Sequence, residues 1–314
     1  MTQQKTTIHL DASALKLSGC RLAMYRTMVQ GYRSAVNNSA IEFGTAFHLF
    51  RKEYEENGND YTSALASAVK YFKRVPMSIG KNKAWLDDKY LMTCCEEYLS
   101  TYPPGLDEYY TLQSADGKPI VEVQFAYPYR KYDDLEILLC GTIDAIVYNP
   151  TAGYYAIKDY KTTSVWNRQE YLASYTLSSQ LMFYKYALEK YAKLFPSSII
   201  AKACERPVQA FIDGIFLASG KSPVFERSIP FHYTEEQMAE FEKGLNKIID
   251  EIVIWVRDPS QLYREGMMNG SCQKVWGACM YEKVCMENLP DMRQVILDES
   301  FARRTYNPLL FGKE

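Results

Sequence analysis

Gly141-Thr142-Ile143-Asp144-Ala145-Ile146-Val147-Tyr148-Asn149-Pro150-Thr151-Ala152-Gly153-Tyr154-Tyr155-Ala156-Ile157-Lys158-Asp159-Tyr160-Lys161-Thr162 is the stretch on which the fold turns. Two runs rich in β-branched and aromatic residues flank an Asn/Pro/Gly cluster, the composition of strand, turn and strand. A turn centred near Thr151 sets Asp144 directly opposite Asp159 in antiparallel register, with Cβ atoms roughly 5 Å apart on one face. Lys161 follows Asp159 by two residues and points to that same face, whereas Lys158 points to the other. Two carboxylates and one ammonium therefore converge by local geometry alone.

Carboxylates this close repel, and one pKa is driven upward unless a cation sits between them. A divalent metal removes the conflict, and a lysine beside it can orient water or stabilise charge on a phosphate. An exposed hairpin face carrying a Lys–Asp salt bridge satisfies the same residues. The choice between these readings rests on the rest of the chain.

The chain has 314 residues, 47% of them hydrophobic and 24% charged, which suits one large domain or two ordinary ones with a sizeable core. No apolar run approaches the roughly eighteen residues of a membrane-spanning helix. The polar start Met1-Thr2-Gln3-Gln4-Lys5 lacks the order of a secretory signal, so the expected compartment is the cytoplasm and no membrane partner is expected. A net charge of −2 gives no global attraction to nucleic acid, so any such binding must come from a local groove. Arg21, Arg26, Arg33, Lys81 and Lys83 are candidates for its walls. Twenty-six tyrosines could supply stacking faces, although half-buried core positions account for most of them.

Residues 11–34 read as a capped segment entering an amphipathic helix, with Asp11 or Ser18 available as N-cap, and Ser39 to Tyr54 continues helically. Residues 60–101 read as two more helices broken near Pro76 and Gly80. Pro119 to Phe125 alternates as a half-buried strand, and Leu135 to Tyr148 with Tyr154 to Tyr160 forms the hairpin. A helix follows over Ser178 to Leu194, a strand over Val208 to Ala218 and a long helix over Thr234 to Val256; the tail after Pro259 is irregular. This order predicts an α/β protein with a mixed central β-sheet flanked by helices. The expected organisation is a single domain over 1–314, comprising an N-terminal helical cap (11–118), a core (119–258) and a cysteine-bearing C-terminal segment (259–314).

Four elements in order extend the pattern: Gly44-Thr45-Ala46-Phe47-His48, Gly141-Thr142-Ile143-Asp144, Asp159-Tyr160-Lys161 and Gln180-Leu181-Met182-Phe183-Tyr184. In these the chain resembles the PD-(D/E)XK nuclease superfamily, specifically its RecB-like branch, whose core is the restriction-endonuclease-like fold. The resemblance implies catalytic roles for Asp144, Asp159, Lys161, Gln180 and Tyr184. It implies Mg²⁺ or Mn²⁺ held by Asp144, Asp159, the main-chain carbonyl of Tyr160 and His48. Hard oxygen ligands suit either ion, and an imidazole favours Mn²⁺. For His48 alone, a structural hydrogen bond between helix and sheet is the competing account. Gln180 and Tyr184, four apart, share a helix face from which both can reach a phosphate or a neighbour in the site. Glu122 reads as a solvated strand position, with an extra acidic group near the metal as its other reading.

Of eight cysteines, Cys94, Cys95, Cys140 and Cys204 lie in apolar or helical surroundings and read as core residues. Cys272, Cys279 and Cys285 are separated by six and then five residues, unlike the Cys-x₂-Cys pairs of most zinc modules. Iron–sulfur members of the RecB-like branch, the AddB and CRISPR-associated exonuclease types, carry one cysteine before the nuclease core and three after it. By that resemblance Cys20, Cys272, Cys279 and Cys285 would hold a 4Fe–4S cluster, with zinc and free thiols as the rivals.

The function this implies is metal-dependent hydrolysis of DNA phosphodiesters, as an exonuclease on single strands or DNA ends in recombination, repair or phage DNA processing. An end-trimming endonuclease subunit of a larger recombination or CRISPR adaptation complex is the second expectation, and a non-catalytic DNA-binding scaffold the third. The expected partner is DNA, with recombination-complex proteins or a second copy of the chain as further candidates. A nucleotide-driven helicase is not expected, because no Gly-x-x-x-x-Gly-Lys-Ser/Thr loop is present.

Overall fold

The computed structural model describes residues 5–35, 38–75, 83–274 and 277–310. The chain divides into two compact units: one made of Met1–Ala35, Phe125–Gly141 and Glu235–Glu314, the other of Val36–Gln124 and Thr142–Thr234. Seven strands form a mixed sheet: β1 (Thr6–Leu10), β2 (Tyr110–Thr111), β3 (Val121–Lys131), β4 (Leu135–Asn149), β5 (Tyr154–Thr163), β6 (Gln209–Phe216) and β7 (Val224–Arg227). Among the described residues the helices of eight residues or more are α1 (Arg21–Met28), α2 (Ser39–Glu56), α3 (Tyr61–Arg74), α4 (Asp88–Thr101), α5 (Ser179–Leu194), α6 (Glu235–Arg257) and α7 (Pro290–Ser300). The expected architecture, a mixed sheet with flanking helices, is the one observed.

In the second unit, β4 and β5 form the antiparallel hairpin, β6 runs parallel to β5, and β7 returns antiparallel to β6. The parallel β5–β6 pair needs a crossover, which α5 supplies. Ser178 caps that helix by accepting from the Leu181 amide, and residues 180–188 are buried almost without interruption. A helix apolar on nearly every side is a core helix. Helices α2, α3 and α4 build a second cluster around Phe43, Phe47, Phe50, Ala64, Ala68 and Tyr98, into which Tyr160 and Ile215 project from the sheet. Phe47 and Tyr98 meet the Tyr160 ring edge to face at 5.9 and 6.0 Å.

In the first unit, β1 lies parallel to Leu135–Leu139 of β4. Helix α6 buries Met238, Leu245, Ile249 and Ile252 on one stripe, at the spacing of an amphipathic helix.

Several expectations are corrected. Over residues 11–34 the expected Asp11 cap is present, closing a single turn, Ala12–Leu15, through the Ala14 amide at 2.8 Å, but Cys20 rather than Ser18 precedes α1. Thr6–Leu10 is a strand that the polar start obscures, buried at Ile8 and Leu10. The tail after Pro259 contains α7, begun by a proline whose missing N–H costs nothing at a first helical turn. Val224–Arg227 adds an edge strand. The break between α3 and α4, expected near Pro76 and Gly80, lies outside the described residues.

Candidate metal centre and nuclease site

All the charged residues expected at the site fall in the second unit. The β4–β5 ladder pairs Ala145 with Lys158, so one further step brings Asp144 opposite Asp159. Asp144 and Asp159 are 9% and 1% exposed, burial that a carboxylate tolerates only with partners. The Tyr160 amide donates to Asp144 Oδ2 at 2.7 Å, and Lys161 forms an ion pair with Asp159 Oδ2. Gln180, at the start of α5, donates to Asp159 Oδ1 at 2.9 Å and to the Tyr184 hydroxyl at 3.2 Å. The spacing of four therefore links Tyr184 to the carboxylate through Gln180.

Helix α2 approaches from the Tyr160 side of the sheet. A Cβ added to Gly44 would lie 2.8 Å from Thr162 Oγ1, so glycine allows the helix to come this close. One turn on, His48 places Nε2 3.2 Å from the Tyr160 carbonyl and Nδ1 3.5 Å from both Asp144 Oδ1 and Glu122 Oε1. If Nε2–H donates to the carbonyl, Nδ1 faces two carboxylates and must either carry a proton or share a cation with them. Burial opposes the charged imidazole, but Asp144 and then Glu122 outweigh it and hold His48 well above its ordinary value.

Around this group the carboxylates diverge. Burial raises Asp144, yet His48 and Lys161 overcome it and leave the carboxyl below its usual value. At Asp159 burial, with repulsion from Asp144, prevails over Lys161 and raises the carboxyl. Glu122 is likewise raised, chiefly by burial. For Lys161 burial favours the neutral amine, but Asp159 and Asp144 outweigh it and keep the ammonium. Divergent shifts within one charged cluster are characteristic of functional sites.

Glu122 is the residue that sequence reasoning undervalued. Its side chain faces His48 rather than solvent, and its backbone sits at φ +46°. A non-glycine residue in the left-handed region stores about 1–3 kcal/mol, and such residues gather at functional sites. An acid set between Val121 and Val123 in an apolar strand was the available signal; its direction depended on α2.

The donor set fits a divalent cation. His48, Glu122 and Asp144 offer ligand atoms all within 4.8 Å of one another, the one such group of three or more among the described residues. Asp159 Oδ2 is buried and accepts no aligned hydrogen bond beyond its ion-pair contact. Hard oxygens with one imidazole suit Mg²⁺ or Mn²⁺.

In the first unit Cys20, Cys272, Cys279 and Cys285 line one narrow cavity. Burial and then the neighbouring Cys279, Cys20 and Cys285 raise the Cys272 thiol, and Arg26 donates to Cys285 Sγ at 3.4 Å. Among the described residues, no three of these thiols form a group as compact as the one around His48. Cys94, Cys95 and Cys140 are buried as expected, while Cys204 is half-buried.

Three of the expected groove walls are not free. Arg21 pairs with Glu251 and Glu265, Arg26 is buried against the Tyr281 ring, and Arg33 lies over the Tyr306 ring. These arginines are spent inside the first unit. Lys81 lies outside the described residues.

The sequence profile of the PD-(D/E)XK nuclease superfamily matches residues 12–286. The chain belongs to that superfamily. Among solved structures it is similar to a candidate exonuclease from Eubacterium rectale, at 14% identity over 92% of this chain and 89% of that one, with a TM-score of 0.42. No curated protein shows significant sequence similarity to it.

Proposed function

We propose that the chain is a divalent-metal-dependent deoxyribonuclease of the RecB-like branch, acting as an exonuclease on single strands or DNA ends in recombination, repair or phage DNA processing. The observation that carries this reading is the meeting of His48, Glu122 and Asp144 beside the Asp159–Lys161 pair. His48, Asp144, Asp159 and the Tyr160 carbonyl, joined by Glu122, would hold the cation. When bound, it supplies Lewis acidity toward the scissile phosphate. Gln180 fixes Asp159, with Tyr184 beside it, and the Tyr160 amide fixes Asp144. Lys161, kept protonated, orients the attacking water and faces the charge that develops on the phosphate.

The same reading takes 1–314 as one nuclease, with a helical region over 11–118, a core over 119–258 and a cluster-binding tail over 259–314. It assigns a 4Fe–4S cluster to Cys20, Cys272, Cys279 and Cys285, which is supported by their common cavity and their spacing. Its role would be to tie Cys20 to the tail. Anaerobically purified protein is then brown, with iron and acid-labile sulfide; a colourless protein with stoichiometric zinc would overturn this.

End-labelled and circular DNA, single- and double-stranded, tested with Mg²⁺, Mn²⁺ or EDTA, decide the activity. Linear substrates should be degraded only with metal, and cleavage of circles would overturn the exonuclease assignment. Lys161→Ala should keep the fold by circular dichroism and lose about 10³-fold in rate, the scale of one lost charge-stabilising group. Full activity in that variant would sink the site.

A further inference from the structure

Tyr160 lies between Asp159 and Lys161, so its side chain leaves the sheet on the face opposite theirs while its peptide groups stay at the metal centre. Its amide donates to Asp144 Oδ2 at 2.7 Å, and its carbonyl stands 3.2 Å from His48 Nε2. At the far end of the side chain the Tyr160 hydroxyl accepts from Arg51 Nε at 3.2 Å. Arg51 follows His48 by three residues on α2 and so shares its helix face. One helix thus meets Tyr160 at both ends, with the imidazole at the carbonyl and the guanidinium at the phenol. All of these residues belong to the second unit.

Arg51 is itself firmly held. It is 8% exposed, and its Nη2 pairs with Glu55 Oε1 at 2.6 Å. Its guanidinium carbon lies 4.8 Å from the Tyr98 ring centroid, and the Tyr98 hydroxyl donates to Asp213 Oδ2 at 2.7 Å. Asp213 is in turn the β6 neighbour of Tyr160. Burying a guanidinium is costly unless its donors are used and its charge is paired, and an apolar side chain would pack on this aromatic cluster without that cost. What Arg51 adds to the packing is one directed bond, and it falls on the residue whose main chain touches both Asp144 and His48.

We propose that Arg51 is a positioning residue of the metal centre: by fixing the Tyr160 phenol it fixes the orientation of the Tyr160 amide and carbonyl. A tyrosine side chain turns about two bonds, so holding its far end limits rotation of the peptide planes at its near end. This role rests on the metal reading above, but no step of hydrolysis passes through Arg51.

Calorimetric titration of the full chain with Mn²⁺ compares wild type, Arg51→Met, Tyr160→Phe and the double variant. Each single change should weaken Mn²⁺ binding about tenfold, the lower end of the loss usual for groups that orient metal ligands. The double variant should bind no more weakly than Arg51→Met alone, because both changes break the same bond. Tyr160→Phe removes one oxygen and leaves Glu55 its partner, so it decides the matter if Arg51→Met does not fold: affinity equal to wild type overturns the role. Losses that add in the double variant overturn it too. So does a lower thermal midpoint in EDTA with Mn²⁺ affinity unchanged, which is the signature of packing alone. Absence of Mn²⁺ binding by wild type would instead bring down the metal reading, and this role with it.

Discussion

Glu122 shows how much one residue's environment decides. Its φ of +46° and its place 3.5 Å from His48 Nδ1 both follow from tertiary packing. Asp144, Asp159 and Lys161 could be picked out from spacing alone, since a two-residue period and a hairpin turn bring them together, whereas His48 came only with the resemblance. Glu122 could not, because no local rule says which way a strand residue with a left-handed backbone will face. Glu122→Gln should keep the fold and weaken metal affinity by about 10–100-fold, the cost usual for groups that support a metal site. Isothermal titration with Mn²⁺ reads this directly, and unaltered affinity would remove Glu122 from the donor set.

At the level of elements, the β4–β5 hairpin was readable because its turn chemistry and its pattern agree. Strand β1 was not, because its partner, Leu135–Leu139, lies more than a hundred residues away and nothing local announces a parallel pairing. The same holds for α2: its apolar stripe is visible in sequence, but its closeness to the sheet depends on Gly44 meeting Thr162. Gly44→Ala should push the helix outward, carry His48 off its partners and cost about 1–3 kcal/mol as an overpacking substitution. The expected outcome is a lower thermal midpoint with a fall in nuclease rate, although no ligand has been changed. A rate equal to wild type would show that the helix position is not critical.

For the molecule as a whole, the site should couple metal to stability. A cation that binds only the folded chain adds RT ln(1 + [L]/Kd), about 2.7 kcal/mol at a hundredfold excess over Kd. Thermal melts with Mn²⁺ against EDTA should therefore separate by several degrees, and Asp144→Asn should abolish the difference. An equal separation in that variant would place the metal elsewhere. The division of the chain has a different consequence, in time rather than space. During synthesis every residue of the second unit has been made by Thr234, whereas the first unit needs Glu235–Glu314 to join segments translated much earlier. Cys20 thus leaves the ribosome more than two hundred residues before Cys272, Cys279 and Cys285, so the four-thiol cavity is among the last features to be completed, after the hairpin that carries Asp144 and Asp159 has been translated.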